Sequence, residues 1–174
     1  MTASVAASLL IVIAMIVWLR LAGRSWVCPC GVVKLWQGAP APGRNSQQFA
    51  DWYSALHVIF GLALYTFVTW MRPGWPTGQR AVTAVASSAV WEAMENTPLL
   101  IHMFAAPAGG AAYAGDSILN SLGDTVFVVL GFALAARLPL WATLTLALAL
   151  DAAVEIAVGD GFVLGTLRLL GAPV

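Results

Sequence analysis

Glu92 and Glu95 stand three residues apart, with Asn96 beside them, in the segment WEAMEN inside an otherwise apolar run. Asp116, Asn120 and Asp124 recur at i, i+4 and i+8 in GDSILNSLGD, with Ser117 and Ser121 between them. His57 lies in a third apolar segment, six residues after Asp51. Carboxylates with an imidazole are the groups that general acid–base catalysis uses. Carboxylates with His and Asn also suit a divalent cation such as Mg, Mn or Zn. The expected catalytic set is therefore Glu92, Glu95, His57, Asp116 and Asp124. A glutamate would serve as base or metal ligand, the two aspartates as ligands or second acid, and His57 as proton carrier. If a metal is bound, Glu92, Asp116, Asp124 and His57 are the candidate ligands. Asn96, Asn120, Ser121 and Asp51 are expected to line the same polar cavity.

Helical spacing puts these groups on faces. Residues at i, i+4 and i+8 lie on one side of a helix, which aligns Asp116, Asn120 and Asp124. Ser88, Glu92, Glu95 and Asn96 form a second stripe, and Ser54, His57, Gly61 and Tyr65 a third. Asp151 and Glu155, at i and i+4, form a fourth near the end of their segment. Four stripes at a common depth predict one internal cavity.

The elements that must carry them are membrane helices. The chain has 174 residues, 60% hydrophobic and 9% charged, where a soluble domain carries about 25% charged residues. Its formal net charge is zero, which points away from a nucleic-acid partner, and two cysteines are too few for a disulfide framework. The reading is an all-α polytopic membrane bundle that fills residues 1–174 as one domain. About five spans are expected, over residues 3–21, 51–71, 80–104, 116–138 and 140–158. The first run lacks the basic residues that precede a secretory signal and is expected to be retained as a span. Residues 24–50, rich in Pro and Gly, form the longest loop, and residues 105–115 a small uncharged connection. The apolar piece Phe162–Leu170 is too short to span. Most of the eight tryptophans, such as Trp26, Trp70 and Trp141, sit near span ends as interface anchors. Five spans put the loop 24–50, the connection 105–115 and the C-terminal tail on one side. Arg20, Arg24, Lys34, Arg44 and Arg168 tilt that side toward the cytoplasm.

A carboxylate facing lipid at mid-bilayer costs about 2.5–3.5 kcal/mol, so four would cost on the order of 10 kcal/mol. They must face the bundle interior. Six acids (Glu92, Glu95, Asp116, Asp124, Asp151, Glu155) accompany His57 as the one intramembrane group able to carry positive charge. They cannot all ionise in a dry site. Some carboxyls hold protons, or a loop arginine such as Arg44 reaches in, or a cation binds. Plainer readings stand beside these. Asp116 can cap a helix, and Asp151 with Glu155 can reach water at a helix end. Cys28 and Cys30, one residue apart, are either two thiols shaping a turn or a metal or redox pair, and a disulfide between them would be strained.

The stretches CPCGVVKLW, DWYSALHVIFGLALY, WEAMENTP and GDSILNSLGDTVFVVLGF resemble an uncharacterised bacterial family of multi-pass inner-membrane proteins, of the DUF2585 or UPF0314 type. The resemblance runs from about Cys28 to Pro139. More distantly, the order of His, Gly and Tyr, then Glu, then Asp, Asn, Asp and Gly is similar to VanZ-like membrane proteins. The first resemblance implies a bacterial inner-membrane location and assigns no reaction. Three functions remain open: a membrane-embedded enzyme acting on a lipid or lipid-linked substrate, a subunit or assembly factor partnered with a larger membrane complex, and a carrier of protons or small cations.

Overall fold

A computed structural model describes residues 2–39, 44–105 and 113–170. Most of the 105–115 connection, together with Pro40, Pro42 and Gly43 of the long loop, lies outside the described residues. The regular elements among the described residues are seven helices: α1 (Thr2–Leu21), α2 (Ser54–Met71), α3 (Thr77–Glu95), α4 (Pro98–Ala105), α5 (Ile118–Ala135), α6 (Leu140–Val158) and α7 (Phe162–Leu169). Four of these, α1, α2, α5 and α6, are long and apolar enough to cross a membrane. Helix α3, at 19 residues, has the length but carries Arg80, Glu92 and Glu95. It is the helix that brings most of the chemistry.

The segment expected as one span over 80–104 is two helices. Pro98 has no N–H to donate and its ring collides with the carbonyl four residues back, that of Met94. The Met94 carbonyl instead accepts the Thr97 N–H at 2.9 Å and the Thr97 hydroxyl at 2.6 Å. Pro98 then opens α4, at the position where its missing donor is harmless. Helix α6 ends on Gly159 in the left-handed region at φ 71°, the usual helix stop.

Helix α5 is central and the most enclosed of the long helices, whereas α1 and α6 leave most of their surface outward. Helix α2 runs parallel to α5: Ser54 meets Asp124, Gly61 meets Val128, and the Tyr65 and Phe132 rings stack edge-on at 5.1 Å. Their backbones touch. A Cβ on Gly61 would run into the Val128 carbonyl, and one on Gly131 into the Val58 carbonyl. Small residues that let helices approach in this way are a membrane packing device. Helix α3 packs on α1 and α5, and α6 on α2. Val58, Leu62 and Ala135 fill one core, Ala84, Val128 and Phe132 a second, and Met15, Leu19, Ala89 and Ile118 a third.

Residues 22–53 contain no helix among those described, yet they are not a free loop. Gln37, Gln47, Gln48, Ala50 and Asp51 are buried. The loop carbonyls of Ser25 and Trp26 accept the N–H groups of Ile118 and Leu119 at 2.9 and 3.0 Å. Those donors open α5 and have no partner within the helix. Cys28 and Cys30 are joined to each other as a disulfide, so neither is a free thiol.

Because the atoms facing Gly61 are backbone, they cannot step aside. Gly61→Ala is expected to destabilise the folded protein by about 1–3 kcal/mol, the usual cost of overpacking. Denaturant unfolding in detergent, with Gly74→Ala as the control in open space, measures this.

Candidate functional site

The polar stripes of α2, α3 and α5 do converge, and they sort into two groups. The first is a saturated frame between the loop, the end of α3 and the start of α5. Asn96 donates its amide to Asp116 Oδ2 at 2.7 Å and accepts the Asp116 N–H at 2.7 Å. The same amide also reaches the Glu92 carbonyl at 3.0 Å. Gln47 donates to the Gly115 carbonyl at 2.7 Å, and the Ser117 hydroxyl donates back to the Gln47 carbonyl at 3.0 Å. Asn120 donates to the Gln48 carbonyl at 2.9 Å. Asp51 accepts the N–H groups of Ser46 and Tyr53 at 2.7 and 2.9 Å. Burial raises the Asp51 carboxyl above its ordinary range, and those backbone N–H groups oppose the rise. Burial also pushes Asp116 up to about 6, against the opposing bond from Asn96.

The second group is His57, Glu92, Glu95 and Asp124, and here the hydrogen bonds are incomplete at Glu92. The His57 ring lies between two carboxylates, its Nδ1 3.8 Å from Glu92 Oε1 and its Nε2 3.6 Å from Asp124 Oδ2. Asp124 is held from behind by the Ser54 hydroxyl, which donates to Oδ1 at 2.9 Å. Ser54 in turn accepts the Asp51 N–H at 3.1 Å, which ties the frame to the second group. Glu92 is fully buried, and neither carboxylate oxygen has a hydrogen-bond partner among the described residues. Ser121 sits next to Glu92 but outside hydrogen-bonding geometry. The Ser88 hydroxyl donates to Thr125 at 3.1 Å, and Thr125 donates to the Ser121 carbonyl at 2.9 Å. Among the described residues, no Lys or Arg forms an ion pair with these acids. Arg44 is exposed.

Asp151 and Glu155 belong elsewhere. Asp151 accepts the N–H groups of Phe162 and Val163 at 2.7 and 3.3 Å, and Glu155 that of Leu164 at 3.3 Å. They cap the start of α7, where orphan donors and the helix dipole favour carboxylates. Ser46, Gln47 and Gln48 hold the frame together without having carried any periodic signal. Their one sequence hint is a pair of uncharged amides in a long loop.

The family model described as "Protein of unknown function (DUF2585)" matches residues 19–174. A UPF0314 protein of Paracoccus denitrificans is 38% identical over 164 residues, covering 94% of this chain and 85% of that protein. One from Sphingopyxis alaskensis is 38% identical, covering 95% and 87%. The UPF0314 protein Atu8092 of Agrobacterium fabrum is 40% identical, covering 95% and 83%. No solved structure matches.

Because burial raises Asp116, the folded protein holds that proton more tightly than the unfolded chain, whose Asp titrates near 3.9. The stabilisation is therefore fully present below about pH 4 and is lost as the pH rises through about 6. Asp116→Asn keeps an acceptor for Asn96 and removes the titration. The fall in unfolding free energy between about pH 4 and 6 should be shallower in this variant than in the wild type, as read by denaturant titrations across that range.

Proposed function

Since the chain belongs to the family described as protein of unknown function DUF2585, we propose a function from the site itself: a multi-pass bacterial inner-membrane enzyme that performs acid–base chemistry on a lipid or lipid-linked substrate. The observation that carries this is Glu92, a fully buried carboxylate whose oxygens are unpartnered among the described residues, beside a histidine that faces a second carboxylate. A structural acid would be expected to resemble Asp116, with its bonds filled. Glu92 is instead available to take a proton. His57 is placed to carry it toward Asp124, since its two nitrogens face the two acids. The separations of 3.6 and 3.8 Å are longer than a hydrogen bond, as is common before substrate tightens a site.

The surroundings support a lipid. A groove of about 390 Å³ runs between α2 and α3, lined by Phe60, Ala86, Val90, Trp91 and Met94 among others. Phe60 is one turn beyond His57, and Trp91 is next to Glu92. An apolar tail in this groove would bring its polar end to the level of the acids, where the loop and helix ends meet.

Glu92→Gln, His57→Asn and Asp124→Asn are each expected to lower turnover by at least about 100-fold. Lipid profiling of a deletion strain, complemented with each variant, should show the same species accumulating as in the uncomplemented strain. If all three variants restore the wild-type profile, the enzymatic reading fails. Stoichiometric co-purification of another membrane protein would then favour a subunit of a larger complex.

A further inference from the structure

Two of the four residues in the incomplete group come from one turn of α3. Glu92 and Glu95 are i and i+3 and project to the same side, toward His57 on α2. One donor atom from each of His57, Glu92 and Glu95 lies within 4.8 Å of the other two. Proximity of acids is not itself a site, but Glu92 adds an independent observation. It is buried with both oxygens unpartnered among the described residues, an expensive state for a polar group. The histidine adds a second. Its Nδ1 faces Glu92 while its Nε2 faces Asp124. A carboxylate facing the second nitrogen, here at 3.6 Å and so longer than a hydrogen bond, stands where the outer partner of a metal-bound imidazole sits. Asp124 is itself fixed by Ser54, and the cluster has no Lys or Arg ion pair among the described residues.

We propose that His57, Glu92 and Glu95 bind one divalent transition-metal ion, with Asp124 as the outer partner that orients His57. One imidazole with two carboxylates suits Zn²⁺ or Mn²⁺, and it is too poor in oxygen for Ca²⁺, which takes six to eight oxygen ligands. Three protein ligands leave a coordination position open for water or a substrate oxygen. Metal bonds of about 2.0–2.2 Å put the donors of one ion roughly 3.4 Å apart, so donors that lie within 4.8 Å of one another have only to draw closer to hold it. Asp116 stays outside this set because Asn96 already occupies it. The proposal deepens the acid–base reading of the same residues, but its test reads binding and not turnover, so either can fail without the other.

The full-length protein, purified in mild detergent and stripped with a chelator, is dialysed against Zn²⁺ or Mn²⁺ and its metal content measured. About one ion per chain is expected. Glu92→Gln and Glu95→Gln should each weaken binding at least about 10-fold, and Asp124→Asn by about 10–100-fold, as outer-sphere partners do. His102→Ala, an exposed histidine on α4, should leave it unchanged. Thermal unfolding without metal identifies which variants are folded, and the half-buried Glu95 makes Glu95→Gln the deciding one. Folded Glu95→Gln protein that binds as the wild type does would overturn the proposal. So would wild-type protein that retains neither metal, or binding that is lost with His102.

Discussion

The site depends on how closely two backbones approach. Gly61 against the Val128 carbonyl and Gly131 against the Val58 carbonyl bring α2 and α5 into direct contact over residues 58–62 and 128–132. That contact sets the register of the parallel pair, and the register puts Ser54 against Asp124 at the site end. His57, one turn beyond Ser54 on α2, faces Asp124 with its Nε2. Glu92 then meets the other nitrogen of the ring. In a bilayer, helices gain little from burying apolar surface against each other. Packing between small residues supplies the association, and here it also supplies the geometry of the polar cluster.

The loop 22–53 does for the helix ends what water does for soluble proteins. The N–H groups that open α5 have no intrahelical acceptors, and a buried donor left unsatisfied is costly. Carbonyls of Ser25, Trp26 and Ser46 take them. The loop needs partners in return, and Asn120 and Ser117 supply them. This exchange explains why a segment with the composition of a surface loop is largely buried where it meets α5.

The helices were legible because apolar length and the 3.6-residue period speak directly. The stripes on α2, α3 and α5 followed from spacing, and they do meet. Three things were not legible. Thr97–Pro98 marks a helix boundary, but apolar residues on both sides disguise it as a continuous span. Ser46, Gln47 and Gln48 have no periodicity, because their positions are set by the acceptors and donors of another element. The third is the separation of Asp116 from Asp124. Both lie on one face of the same sequence stripe, two turns apart, and spacing alone makes them equivalent. The fold distinguishes them: Asp116 precedes Ser117, the N-cap of α5, and meets Asn96 at the end of α3, whereas Asp124 lies inside α5 and faces His57 on α2.

That separation bears on what the acids are for. A buried carboxylate is tolerable when hydrogen bonds fill its lone pairs, and such a group becomes structure: Asp51 and Asp116 hold the loop, and Asp151 and Glu155 hold α7. The same chemistry left unfilled is a cost that folding alone gives no reason to keep, since an apolar residue at position 92 would pack against Ser88 and Ser121 without it. Glu92 retains the cost in the one place where a histidine and two further carboxylates surround it. Of the acids the spacing singled out, Asp116, Asp151 and Glu155 explain the fold through the bonds they accept, whereas Glu92 has no hydrogen-bond partner among the described residues.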